Sequence, residues 1–158
     1  FVPMGTKGYK IAIGAGSSTH NLRGTTVQLE DVKSYRKAWK DAGHEGEPTT
    51  VVRIPTLLAD TKEEAERLSD ELMVLARRYF SGRIGIGSTD AGSASPDTTE
   101  EVNLFGTAED VVEKVELPRE QYGTDEIMFE VNWTSSVPRD VVTNSVRILS
   151  DKVIPKFK

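Results

Sequence analysis

The segment 106–158 constrains the fold most, because its own punctuation divides it into a helix, a strand and a second helix. Thr107 is placed to cap a helix whose first turn carries Glu109 and Asp110, carboxylates that meet the positive end of the helix dipole. Gly123 ends that helix. Pro118 falls inside it, and a proline there removes a hydrogen bond and clashes with the preceding turn, which predicts a kink or a restart. Ile127, Met128, Phe129 and Val131 form a short apolar run, the pattern of a parallel strand covered on both faces. The last helix is expected from about Pro138, capped by Ser135 or Ser136 and ended by Pro155. Its inner face would carry Val141, Val142, Ser145, Ile148, Leu149 and Val153.

The upstream chain repeats the alternation of strand and helix. Residues 9–14 read as a short strand, followed by a loop over 15–24 that holds His20, Asn21 and Arg23. From Thr26, the residues Leu29, Val32, Tyr35, Ala38, Trp39 and Ala42 recur at steps of three and four, giving an amphipathic helix stopped by Gly43. Residues 49–59 are rich in β-branched and apolar side chains and predict a buried strand, with a bulge or strand end near Pro55. Thr61 and Glu64 form a capping box for a long helix through Ala65, Leu68, Leu72, Leu75, Ala76 and Tyr79. The stretch 81–105 lacks apolar periodicity and exceeds the usual length of a loop between packed elements, so it reads as a lid or a disordered insertion.

The chain has 158 residues, 37% of them hydrophobic and 28% charged, the balance of one soluble domain with a real core. Its net charge of -5 is spread over helix faces, which argues against nucleic acid or an anionic membrane as a partner. There is no cysteine, so disulfides, thiolate metal sites and cysteine nucleophiles are excluded. No apolar run reaches the roughly 18 residues that span a bilayer, and a cytoplasmic location is the expectation. With two histidines and no His-Glu-x-x-His spacing, no metal site is expected.

Three runs in this order, Gly-Thr-Ala-Glu-Asp-Val-Val-Glu-Lys from Gly106, Tyr-Gly-Thr-Asp-Glu-Ile-Met-Phe-Glu from Tyr122 and Asp-Lys-Val-Ile-Pro-Lys-Phe-Lys from Asp151, resemble the end of the bacterial luciferase-like flavin monooxygenases. The resemblance implies the seventh helix, eighth strand and eighth helix of a (β/α)8 TIM barrel, and covers the remaining chain more loosely from the end of the sixth strand. A barrel of this kind needs roughly 250 residues. The expected fold class is therefore α/β, the C-terminal portion of a luciferase-like barrel, incomplete by itself, forming one fragment over 1–158 with an insertion at about 81–105. Phe1 in place of an initiator methionine fits that expectation.

The resemblance further implies reduced FMN, or F420 in the related reductases, acting on a small-molecule substrate. The family's phosphate-gripping segment lies mostly upstream, so the fragment alone is expected to be inactive. Its partner would be the N-terminal half of the barrel or a second copy of the chain. In a barrel, the loops after the strands open on the catalytic face. His20, Asn21 and Arg23 after the sixth strand, and Asn132 and Trp133 after the eighth, are thus the candidate cofactor-binding residues, with Glu130 a candidate hydrogen-bonding group inside the mouth. The competing reading makes His20 an ordinary loop residue and Trp133 a plug of the barrel top. Trp39, Tyr35 and Tyr79, at helical spacing on apolar faces, read as core.

Gly14-Ala-Gly-Ser-Ser lacks the third glycine and the downstream acid of a dinucleotide loop and reads as a turn. A noncatalytic βα assembly module is the alternative function.

Overall fold

The computed structural model describes residues 1–14, 29–83, 103–132, 135 and 137–157. In chain order the elements are α1 (Val2–Thr6), β1 (Ile11–Gly14), α2 (Leu29–Asp41), β2 (Thr50–Leu58), α3 (Lys62–Arg83), β3 (Leu104–Gly106), α4 (Ala108–Lys114), α5 (Glu116–Tyr122), β4 (Glu126–Glu130) and α6 (Arg139–Ile148). A π turn, Leu149–Val153, and a 3-10 turn, Ile154–Phe157, follow α6. Every strand pair is parallel, and a helix lies between each strand and the next. The expected α/β alternation is thus present, with α1 as an element that the sequence pattern did not announce.

The residues form two compact units, Phe1–Pro55 with Glu113–Glu130, and Thr56–Val112 with Val131–Lys158. In the first, β2 lies between β1 and β4, with Ile13 beside Val52 and Ile54 beside Phe129. One sheet face is covered: Ile11, Ile13, Val52 and Ile54 are buried, and α2 lies against it through Val32 and Tyr35, both fully buried. Arg36 Nη2 on α2 donates to Thr50 Oγ1 on that face at 3.1 Å. Burial pushes the Tyr35 phenol above its ordinary pKa, and its hydroxyl donates to the Tyr9 carbonyl at 2.8 Å. Gly123 closes α5 in the left-handed conformation, φ 61°, and a Cβ there would stand 2.5 Å from Leu29 Cδ1.

The second unit is built on Leu57, Ala59, Ala65, Leu68, Leu72 and Val137, with Phe105, Val141 and Val142 packed against them. Here β2 pairs with β3, Leu58 beside Gly106. Ser145 on α6 is buried, and its hydroxyl accepts from the Leu58 N–H and donates to the Leu58 carbonyl, both at 3.1 Å.

The local punctuation is seen in detail. Thr61 Oγ1 accepts the Glu64 N–H at the start of α3. Thr107 Oγ1 accepts the Asp110 N–H, while Asp110 Oδ2 receives the Thr107 N–H and hydroxyl at 2.8 and 2.9 Å, a reciprocal cap for α4. The helix expected over Pro118 is broken into α4 and α5, and Pro118 falls in the first turn of α5, where a missing donor is tolerated. Pro55 does not break β2. Instead the strand changes neighbours there, pairing with β4 through Pro55 and with β3 from Thr56. The expected cap at Ser135 is not seen: Pro138 stands at the N-cap of α6 with no side-chain cap bond, the Val137 N–H goes to Asn132 Oδ1 at 3.2 Å, and Ser136 lies outside the described residues. Ser145, Ile148, Leu149 and Val153 are the buried face of the last helix, as its spacing predicts.

Most of the expected 81–105 insertion lies outside the described residues; its flanks are the end of α3 and the start of β3.

Candidate active site

The apolar run in β4 predicts a strand covered on both faces, and the structure corrects this. Residues paired in register on parallel strands point to the same side, so Ala12, Val51, Arg53, Pro55, Glu126, Met128 and Glu130 share the second face of the β1-β2-β4 sheet. None of them is buried, and Met128 keeps 50% of its surface. The uncovered face results from what the sheet lacks: among the described residues no helix or strand of this unit lies over it. A parallel sheet is normally buried on both sides.

That face carries charge. Arg53 Nε lies 3.2 Å from Glu130 Oε2, with 47% and 27% of the two side chains accessible. Glu130 is the last residue of β4, so the pair sits toward the C-terminal end of the strand. Sequence reading reached Glu130 by position but missed Arg53. The signal was an isolated arginine inside a strand of Val, Ile and Leu, and only the β2–β4 register joins it to Glu130.

Beyond Glu130 the chain turns. Asn132 is exposed, its carbonyl accepts the Ser135 N–H at 3.0 Å, and its carboxamide oxygen holds Val137 N. The carboxamide nitrogen makes no hydrogen bond among the described residues. Ser135 has φ 57°, the one positive value outside glycine among the described residues, and such backbone strain gathers at functional turns. Of the five expected binding residues, Asn132 lies in the turn that follows β4, within the second unit; His20, Asn21, Arg23 and Trp133 lie outside the described residues.

Two other polar clusters are structural. Asp125 Oδ2 receives the Thr50 N–H and hydroxyl at 2.8 and 2.9 Å, and Arg36 Nη2 reaches both carboxylate oxygens at 2.9 Å. Desolvation raises the Asp125 pKa, but the Thr50 bonds and Arg36 outweigh it and hold the carboxyl below its ordinary value. Asp60, after β2, is bound by Arg147 at 2.7 Å and approached by Lys152 at 3.6 Å; the Arg147 hydrogen bond lowers its pKa. His44, the other histidine, donates from Nε2 to the Thr6 carbonyl at 3.0 Å and packs on Trp39 with ring centroids 4.9 Å apart, an anchor for the exit of α2. Among the described residues no three His, Asp or Glu side chains gather as a cation site, and no helix is long and apolar enough to cross a membrane.

No protein-family model and no curated protein matches this sequence. Solved structures do match its fold. Over 99% of the chain it superposes on 44% of the monooxygenase RslO1 from Streptomyces bottropensis, with a TM-score of 0.71 at 18% identity. Over 98% it matches 44% of the oxygenating constituent of 3,6-diketocamphane monooxygenase from Pseudomonas putida, a type II Baeyer-Villiger enzyme in complex with FMN, with a TM-score of 0.61 at 22% identity. The coenzyme F420-dependent tetrahydromethanopterin reductase from Methanopyrus kandleri matches over 96% of the chain and 52% of its own, with a TM-score of 0.51 at 18% identity. The chain thus spans about half the length of these proteins. Its fold is that of about half of each of these proteins, an α/β arrangement consistent with part of a (β/α)8 barrel, the architecture implied by the resemblance of residues 106–158.

Proposed function

We propose that this chain is part of a flavin-dependent oxidoreductase that uses reduced FMN and oxygen on a small organic substrate. One observation carries the reading: the chain matches, over nearly all its length, about half of a monooxygenase whose structure holds FMN, and its uncovered sheet face presents polar groups at the C-terminal end of β4. That end of a barrel strand is where catalytic residues gather.

The residues present fit such a group. The pyrimidine edge of a flavin offers one N–H donor and two carbonyl acceptors; the Glu130 carboxylate and the Arg53 guanidinium supply a complementary acceptor and donor toward the C-terminal end of β4. Bound reduced FMN would supply the electrons for oxygen activation. This chain's residues would orient its ring and help exclude water, while His20, Asn21, Arg23 and Trp133 remain the proposed further contacts from the two loops. An F420-dependent reaction is the second reading, favoured by the match to the F420-dependent reductase.

The test is titration of FMN and of F420 into the chain alone and into the chain purified with the product of the sequence encoded directly upstream. The proposal expects flavin fluorescence quenching by the joined protein and little by the chain alone. Absence of quenching by either cofactor in the joined protein overturns it.

A further inference from the structure

We infer that the outer surface of α6, with the π and 3-10 turns that continue it, is a homodimer interface that receives the acidic outer face of α3 from a second copy of this chain. Both surfaces lie in the second unit, and the contact is independent of the flavin reading.

Three features of this unit point the same way. First, α6 and its continuation bury one row, Ser145, Ile148, Leu149 and Val153, and expose another. Arg139, Thr143, Val146, Ser150, Ile154 and Phe157, all exposed, recur at steps of three and four and so share one side. Val146, Ile154 and Phe157 keep 49%, 37% and 47% of their surface. Single apolar residues scattered over a surface are ordinary, whereas an aligned apolar row with arginine at its edge has the make-up of an interface.

Second, the charge here runs against that of the chain. Residues 139–157 hold four basic side chains and two carboxylates, whereas the whole chain carries -5. Arg139 and Lys156 have no ion-pair partner among the described residues. Third, the neighbouring helix has the opposite sign. Over 62–71, in the first turns of α3, five carboxylates stand with two basic side chains. Ala65, Leu68 and Leu72 turn into the core, while Glu63, Glu66 and Asp70 are exposed and have no ion-pair partner among the described residues. The helices α3 and α6 pack on the same cluster, and Asp60, just ahead of α3, is bound by Arg147. An open depression of about 670 Å³ runs along α6, lined by Arg139, Asp140, Thr143, Asn144 and Arg147.

Charge complementarity selects the occupant. A two-fold axis sets one surface patch against its own copy, so a chain with a basic face beside an acidic one can match base to acid twice. An anionic bilayer would attract α6 but repel the carboxylates of α3 next to it. A second copy satisfies both. In that dimer Val146, Ile154 and Phe157 form the desolvated centre, and Arg139 and Lys156 meet Glu66 and Asp70 of the other copy at the rim.

The experiment uses the 158-residue chain, with self-association read by sedimentation equilibrium. The parent should dimerise, and less tightly as salt is added, since the Debye length falls from about 30 Å at 0.01 M to about 3 Å at 1 M. Arg139→Glu with Lys156→Glu turns the outer face of α6 acidic, and Glu66→Lys with Asp70→Lys turns that of α3 basic. Each pair should weaken self-association about 100-fold or more, because both halves of the two-fold contact then repel. Mixed in equal amounts, the two double variants should form a heterodimer about as tight as the parent: the reversed faces match each other, and so do the two unaltered ones. That recovery also shows both variants to be folded. Phe157→Ala should weaken the dimer about tenfold. A parent that stays monomeric, a dimer indifferent to either double variant, or variants that stay monomeric when mixed overturns the inference. So does a monomeric parent that sediments with phosphatidylserine vesicles and loses them in the α6 variant, which would assign the surface to a membrane.

Discussion

The two compact units handle apolar surface in opposite ways. The unit around Leu57, Ala65, Leu68 and Leu72 closes a cluster between β2, α3 and α6. The unit around Val52, Ile54 and Tyr35 buries one sheet face under α2 and leaves the other bare, with Arg53, Met128 and Glu130 upon it. The same strand, β2, serves both, with Pro55 and Thr56 marking the change of neighbour. The contrast shows that a parallel βα pattern can satisfy the helix-facing side of a sheet locally and leave its other side open.

The largest expected effect tests the closed unit. Leu57 is 1% exposed within its cluster, so Leu57→Ala leaves a cavity and should lower stability by about 3 kcal/mol, read from the urea midpoint. A loss near zero would mean that this cluster is loosely packed and that the contrast between the units is false.

A somewhat smaller effect comes from the hinge between β3 and α4. Gly106 has φ 151°, and a Cβ there would lie 2.6 Å from Asp110 Cβ, so Gly106→Ala combines backbone strain with collision against the capping residue. We expect a loss of about 2 kcal/mol by the same measurement. Asp110→Ala, which removes the cap but not the space, should cost about 1 kcal/mol. The reverse order would show that the close approach is easily relieved.

The open unit carries one source of acid sensitivity. The Asp125 pKa is lowered in the folded chain, so its contribution is present above the unfolded carboxylate range and disappears as pH falls through the folded value. Asp125→Asn should therefore lower stability at pH 7 by at most about 1 kcal/mol, since the carboxylate is partly exposed and screened. The two proteins should converge in urea denaturation as the pH is taken below the usual carboxylate range. A difference that stays constant down to that pH would assign the effect to the lost hydrogen-bond geometry alone.

What could be read from sequence follows the range of the physics. Thr61, Thr107, Gly123 and Pro118 act within a turn of the chain, and the helix starts, stop and break they predict are present. Ser135 does not cap α6, and the Val137 N–H ahead of that helix goes to Asn132 instead. The bare face was not legible, because Ile127, Met128 and Phe129 form the same run whether or not a second layer covers the strand. Glu130 and Asn132 were singled out in the sequence by their place at a strand end; the pairing of Glu130 with Arg53 was not legible, since it is set by register between distant strands.

The smallest predicted effect is the most direct probe of that bare face. Met128 sits on β4 beside Arg53, and half of its surface is accessible, so in the chain alone Met128→Ala removes few packing contacts. Its cost should stay within about 0.5 kcal/mol, the range of an ordinary surface substitution. A cost near that of Leu57→Ala would mean that the face is covered after all and that the two units do not differ as their exposures indicate.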